Sequence, residues 1–301
     1  MSMFNRFGLV KEKIGHLVSV KVGGWGVLSL LLAVIYGPGN LRAEDPILEG
    51  EPKARLSAEP GGGSLTLAPI DLAGGAKLTL ISPKTWEPIA HRISRDIKDA
   101  HQYFTHIFGE IPPFETSVRL LEQKAFYALT GAPSWTNAMF YRGQIVIPLS
   151  TTEPIDYENI YRSVRHEYSH AVNGALTKNR CVGWVDEGLA QLEEGPENPL
   201  LLQALQDWTR NNRPVPFRLL QGGFTKLETA MVPAAYAQSL VAANSLVRGF
   251  GYGKLRRYFD ALRTGVDKGD AFRESFGISE AVFEHRLGRT IQELTHARSH
   301  R

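Results

Sequence analysis

A single cysteine, Cys181, is all that the 301 residues contain, so a disulfide within the chain is impossible and the disulfide-stapled small folds are excluded. Followed by Val182, Gly183 and Trp184, it reads as a small packed residue rather than a nucleophile or a metal ligand. A basic stripe is also missing. The formal charge is +3, but residues 1–43 hold Arg6, Lys11, Lys13, Lys21 and Arg42 against Glu12, a net +4, so the remainder carries −1. A nucleic-acid-binding domain would keep its positive charge on the folded part, so nucleic acid is not expected as a partner. The basic tail of His296, Arg298, His300 and Arg301 reads as a solvated terminus. No internal repeat occurs, which excludes a solenoid.

Apolar runs of membrane length are absent from the N-terminal region too. Trp25 to Tyr36 is an uncharged run of twelve, short of the roughly 20 residues that a span requires. Basic residues precede it, and Gly37-Pro38-Gly39 and then Leu41-Arg42-Ala43 follow. This is the order of a secretory leader with a cleavage point after Ala43, the alternative being a retained N-terminal anchor. Export to the periplasm or the extracellular space is therefore expected, with membrane contact only through an uncleaved N-terminal segment. Residues 44–75 are rich in Pro, Gly and Glu and read as a linker, with one short strand at Leu65–Leu67. Residues 76–301 then form one domain. Of the whole chain, 43% is hydrophobic and 22% charged, ordinary globular usage that can bury a sizeable core.

What the domain contains is a metal motif. His166-Glu167-Tyr168-Ser169-His170 places two imidazoles four residues apart with a carboxylate next to the first. Four helical residues advance about 6 Å and overshoot a full turn by roughly 40°, so both imidazoles can face one ion, with Glu167 about 60° round the helix. Tyr157 to Val164 leads in without Gly or Pro, and Ile160, Val164, Ala171, Val172, Ala175 and Leu176 keep the period of a buried helical face. Trp184-Val185-Asp186-Glu187-Gly188-Leu189-Ala190 reads as a loop entering a second helix, with Glu187 in its first turn as the candidate third ligand. Gly188 and Ala190 are small enough to let this helix lie close to the histidine helix. Two His and one Glu form an established zinc set that leaves a fourth position for water.

Other titratable residues are less informative. His91, His101 and His106 have spacings that place no pair on one helix face, and they read as solvated or core histidines. Asp186 is either a support for a ligand histidine or a solvated first-turn acid. Glu193-Glu194 reads as a solvated face, and Trp135 and Trp184 as buried aromatics.

The segments 166–170 and 184–190 together resemble the gluzincin metallopeptidases, the thermolysin-like group whose third zinc ligand is a Glu on a later helix. Phe126 to Trp135, Gly143 to Leu149, Ala235 to Leu240 and Gly251 to Leu255 sharpen this to a resemblance to bacterial peptidase MA-like domain proteins, over roughly Leu78 to Ala297. In one place the chain departs from thermolysin: four residues past Glu187, where that enzyme has an Asp orienting a ligand histidine, stands Gln191. The resemblance implies one zinc ion on His166, His170 and Glu187, Glu167 as the general base that takes a proton from water and passes it to the leaving amine, and a peptide or protein as substrate. Tyr236, heading the Ala-Tyr-Ala-Gln-Ser segment, is the candidate oxyanion donor, the alternative being a core aromatic.

The coarse element pattern is α+β and zincin-like, a small mixed sheet followed by a mainly helical region that carries the zinc site. Strands are expected at Lys77–Ile81, Ser117–Leu121 and Gln144–Leu149. Helices are expected at Trp86–Phe108, Gln123–Leu129, Tyr157–Leu176, Val185–Glu194, Leu200–Arg210, Ala234–Gly249, Tyr252–Leu262 and Glu280–Arg298. The resemblance implies that an edge strand lines the cleft and takes extended peptide by strand addition, with Gln144–Pro148 as its candidate. Two further functions stay open: a catalytically silent peptide-binding module with the zincin fold, and a zinc amidase acting on a cell-envelope substrate.

Overall fold

The structure is a computed structural model that describes residues 64–67, 69–132, 136–141, 143–195 and 199–296. The expected leader, most of the expected linker and Trp135 lie outside these residues. Two short strands, β1 (Ser64–Thr66) and β2 (Ile70–Asp71), each pair antiparallel with β3 (Lys77–Pro83). Among the described residues the sheet thus begins at Ser64, one residue before the short strand expected at Leu65–Leu67 within the linker segment. β3 runs parallel to β4 (Glu115–Glu122). The last two strands, β5 (Met139–Tyr141) and β6 (Gln144–Leu149), form an antiparallel pair, and β6 joins β4 in parallel. The order across the sheet is β1-β3-β4-β6-β5.

Both faces of the sheet are covered. Leu80, Val118 and Ile145 stand in register on neighbouring strands and are fully buried in the main core. That face packs under α1 (Glu87–Phe108) and α3 (Tyr157–Thr177). On the opposite face Val146 and its partner Met139 pack with Phe126 of α2 (Gln123–Thr130). A strand buried on both sides reads as a continuous apolar run, as Ile145-Val146-Ile147 does.

The remaining chain is helical: α4 (Gly183–Glu193), α5 (Pro199–Thr209), α6 (Val232–Thr264), α7 (Lys268–Phe276) and α8 (Glu280–His296). The two helices expected between Ala234 and Leu262 are the halves of α6, which breaks at Gly251 with φ 78° and ψ 162°, backbone angles that only glycine adopts readily. Helix α7 was not foreseen, although Asp267 caps it by accepting from the Gly269 and Asp270 amides. The α1 C-terminus ends at Gly109, φ 77°, and Arg256 of α6 donates Nη1 to the Phe108 and Glu110 carbonyls at 2.7 and 2.6 Å. A cation there opposes the negative end of the helix dipole.

Two expectations are corrected. The edge of the sheet is β5, not Gln144–Pro148, because the hairpin at Gly143 (φ 78°) folds β5 back outside β6. Gly188 does bring two helices together, but the partner is α6: a Cβ there would lie 2.2 Å from the Ser239 carbonyl oxygen and 2.8 Å from the Ala243 Cβ. No helix among the described residues is long and apolar enough to cross a membrane.

Candidate metal centre

Helix α3 starts where Asp156 accepts from the Asn159 amide at 3.1 Å. From His166 to Asn173 all eight residues are buried, because the sheet, α1, α4 and α6 surround the middle of the helix. A fully buried helix can keep polar side chains only if each finds a partner. On one side Tyr168 does so: His101 Nε2 lies 2.8 Å from the Ala73 carbonyl, which can only accept, so Nδ1 accepts the Tyr168 hydroxyl at 2.8 Å. His101 is thus the core histidine expected, while His91 and His106 are exposed.

On the other side the two motif histidines meet α4. One Nε2 of each imidazole stands 3.7 Å from Glu187 Oε2, and the three ligand atoms of His166, His170 and Glu187 lie within 4.8 Å of one another. These contacts are too long for hydrogen bonds, and His166 Nε2 and Glu187 Oε2 are buried without a hydrogen-bond partner. Zinc–ligand bonds of 2.0–2.2 Å in a tetrahedron separate ligand atoms by about 3.3–3.6 Å, close to the spacing found. Two nitrogens, one carboxylate oxygen and orphaned polar atoms facing one point make a group that fits a zinc ion.

The outward nitrogens are held as well. His170 Nδ1 lies 3.0 Å from Asp186 Oδ2, and Asn173 Nδ2 donates to Asp186 Oδ1 at 2.8 Å. His166 Nδ1 lies 3.0 Å from Glu194 Oε2, and Arg162 Nη2 donates to Glu194 Oε1 at 2.6 Å. Asp186 therefore supports a motif histidine, and Glu194 is not on a solvated face. Neither is Glu193, which is 4% exposed and accepts from the Tyr103 hydroxyl at 2.7 Å and from the Tyr252 hydroxyl. Sequence reading missed the partners of Glu193 and Glu194 because they depend on where the end of α4 docks against α1, α3 and α6, which periodicity does not report.

Electrostatics follow from this crowding. Burial alone pushes the His166 imidazole down, but the Glu187 and Glu194 carboxylates and the charge of Glu167 raise it to about 10. Burial likewise opposes charge on His170, and Asp186 and Glu187 raise it to about 9. Glu167 is raised above the usual carboxylate range, as its desolvation outweighs the two imidazoles. Its Oε2 accepts the Phe140 amide of β5 at 2.8 Å, which ties the sheet edge to the residue beside His166.

Tyr236 sits in the first turns of α6, 1% exposed, against the Phe224 ring with centroids 4.9 Å apart. Burial drives its phenol well above the ordinary value, and the nearby Glu187 and Glu167 charges add to the shift, so it stays protonated. Gln191 connects this tyrosine to α4: its Nε2 donates to the Glu187 carbonyl at 3.3 Å and to the Tyr236 carbonyl at 3.1 Å. Trp184 is a core aromatic stacked on Phe217 at 4.3 Å, and Cys181 is buried with its thiol pushed up by desolvation. The sequence signal for β5 was weak: Arg142-Gly143 separates Met139-Phe140-Tyr141 from Gln144-Ile145-Val146 by two residues, but Arg-Gly is not one of the dipeptides that mark a hairpin.

The family comparison agrees with this picture. The profile of the Peptidase MA superfamily matches residues 116–293, more than half of the chain and the whole of the His-Glu group. The chain belongs to that superfamily, and the α+β architecture with its metal-capable group is that of a gluzincin-type, zinc metallopeptidase-like fold. Among solved structures it is similar to the M1 zinc metallopeptidase from Deinococcus radiodurans, with 14% identity, a TM-score of 0.40 and coverage of 77% of this chain and 51% of that one. It is also similar to an aminopeptidase N family protein from Idiomarina loihiensis, with 13% identity, a TM-score of 0.46 and coverage of 75% and 46%. The chain spans about half the length of these structures. No curated protein matches it in sequence.

Proposed function

We propose that the chain is a zinc-dependent metallopeptidase that hydrolyses peptide bonds, exported to the periplasm or beyond by its first 43 residues. The observation that carries this reading is the position of Glu167, a buried carboxylate beside the His166, His170 and Glu187 group and fixed by the Phe140 amide. A module that only bound peptide would have no use for such a base. The three side chains His166, His170 and Glu187 hold one zinc ion, which when bound supplies Lewis-acid polarisation of a carbonyl and of water. Glu167 takes a proton from the attacking water and delivers it to the leaving amine, a role suited to a carboxyl whose basicity burial has raised. The Tyr236 hydroxyl, kept protonated, donates to the developing oxyanion. The edge strand β5 takes the part first given to Gln144–Pro148, offering its open side to an extended peptide.

The test is cleavage of an unbiased peptide library by the full zinc-loaded chain beside Glu167→Gln at matched metal content. Cleavage by the former and loss of at least about 100-fold in the variant supports the proposal, since general-base catalysis contributes 10²–10⁴-fold. Equal cleavage by both removes Glu167 from the chemistry. Absence of cleavage by either overturns the peptidase reading and leaves a peptide-binding module or an amidase on another carbonyl substrate.

A further inference from the structure

Four residues past Glu187, the place where a thermolysin-like site would carry its histidine-orienting acid, stands Gln191, whose Oε1 is buried without a hydrogen-bond partner. Its Nε2 is spent on the Glu187 and Tyr236 carbonyls. The nitrogen that would otherwise lack a partner, His166 Nδ1, is met from the far end of α4 by Glu194, 3.0 Å away. Glu194 in turn is gripped by Arg162, which stands one helical turn before His166 on α3, and Arg165 of the same helix donates Nε to the adjacent Glu193 carbonyl. Two arginines of α3 thus hold the end of α4 in the one place from which Glu194 reaches His166.

We infer that Glu194 is the positioning residue for His166, holding it, through Arg162, in the tautomer that presents Nε2 to the metal, in place of the residue four past Glu187. A carboxylate can only accept, so in the neutral ring that a metal needs the hydrogen is on the His166 Nδ1 bonded to Glu194, which leaves the lone pair to Nε2, the atom 3.7 Å from Glu187 and without a hydrogen-bond partner. The same logic joins His170, Asp186 and Asn173. The two supports differ in kind: Asp186 comes from the first turn of α4 and is held by a neutral amide, whereas Glu194 lies just past its last turn and is held by a cation. Metal affinity therefore depends on one side chain at the end of α4, that of Glu194. Glu193, next door, supplies an internal control, because its buried carboxylate oxygens accept from the Tyr103 and Tyr252 hydroxyls.

The inference rests on the zinc site of the proposed function but not on peptide hydrolysis. Zinc affinity of the full chain, measured by competition with a chromogenic chelator, and the visible absorption of the cobalt(II) form would be compared for the wild type, Glu194→Ala, Glu194→Gln and Glu193→Gln, with melting temperatures alongside. Glu194→Ala should weaken zinc about 10- to 100-fold and alter the cobalt spectrum, as loss of an outer partner of a ligand histidine does. Glu194→Gln should fall between it and the wild type, because the amide oxygen can still accept from Nδ1. Glu193→Gln should lower the melting temperature and leave zinc affinity as it was. Wild-type affinity in Glu194→Ala, or an equal loss in Glu193→Gln, overturns the role of Glu194. Failure of the wild type to bind zinc overturns the metal site itself.

Discussion

The half of the site that can hold an ion comes from two consecutive helices, α3 and α4, while the half that carries Phe140 and Tyr236 is gathered from β5 and α6, on either side of them in the chain. His166, His170, Glu187 and their outer partners Asp186 and Glu194 all lie between residues 166 and 194. Phe140, by contrast, is 27 residues from Glu167, and Tyr236 is 45 from Gln191. Local spacing selects the ligands of the first half, with only Glu194 brought in by docking, and tertiary packing decides the second. A group set by helix geometry can be altered one function at a time, whereas a group set by packing changes whenever the packing does.

The largest effect that would sharpen this contrast belongs to the ion-holding half alone. With His166 raised to about 10 and His170 to about 9, both imidazoles of the metal-free chain keep protons that zinc must displace. The sign is fixed: protons occupy the ligand nitrogens below these values, so apparent zinc affinity rises with pH across about 6 to 9, by more than about tenfold per unit while both are protonated. Calorimetry in buffers of different ionisation enthalpy would count the protons released at pH 7. A release of none would mean that the imidazoles are already neutral.

Next comes the packing half. Tyr236→Phe should lower peptide turnover by about 100-fold, the range for loss of one oxyanion donor, while zinc content stays equal to that of the wild type. Unchanged turnover would return Tyr236 to the core aromatics, and lost zinc would show that the two halves are not separable. The smallest effect is expected at their joint. Gly188→Ala forces a methyl group against the Ser239 carbonyl, so α4 and α6 must part, at a cost of about 1–3 kcal/mol in stability. Chemical denaturation would measure it. A neutral result would mean that the helices are free to shift and that Tyr236 is not rigidly seated.

Legibility in the sequence follows the same division. The period of Ile160, Val164, Val172 and Leu176, the motif His166–His170 and the segment Trp184 to Ala190 are local patterns, and the structure forms both helices there, α4 starting at Gly183, two residues before the expected Val185, so that Asp186 rather than Glu187 is the acid of its first turn. The β3, β4 and β6 strands were equally legible from their apolar runs. Strand β5 was not, because three residues carry too little alternation, and its omission made Gln144–Pro148 look like the edge. The small residue Gly188 was correctly seen as a site of close approach, yet nothing in its neighbours said that α6 rather than α3 would arrive there. Glu193 and Glu194 looked like a solvated face because a charged pair at a helix end usually is one. Only the docking of Tyr103, Tyr252, Arg162 and His166 around them reveals otherwise.

The Phe140 amide on Glu167 has a thermodynamic consequence. A glutamate side chain in water samples several rotamers about three single bonds, and a base that must be found in one of them loses that freedom at the moment of reaction. Here a backbone group of the sheet edge pins Oε2 in advance, so the carboxylate behaves as a locked rotor whose second oxygen has one position rather than many. The cost of ordering it is met during folding. In the proposed chemistry an extended segment laid along β5 would bear on the same strand that aims the base, which makes occupancy of the cleft and alignment of Glu167 mechanically one event.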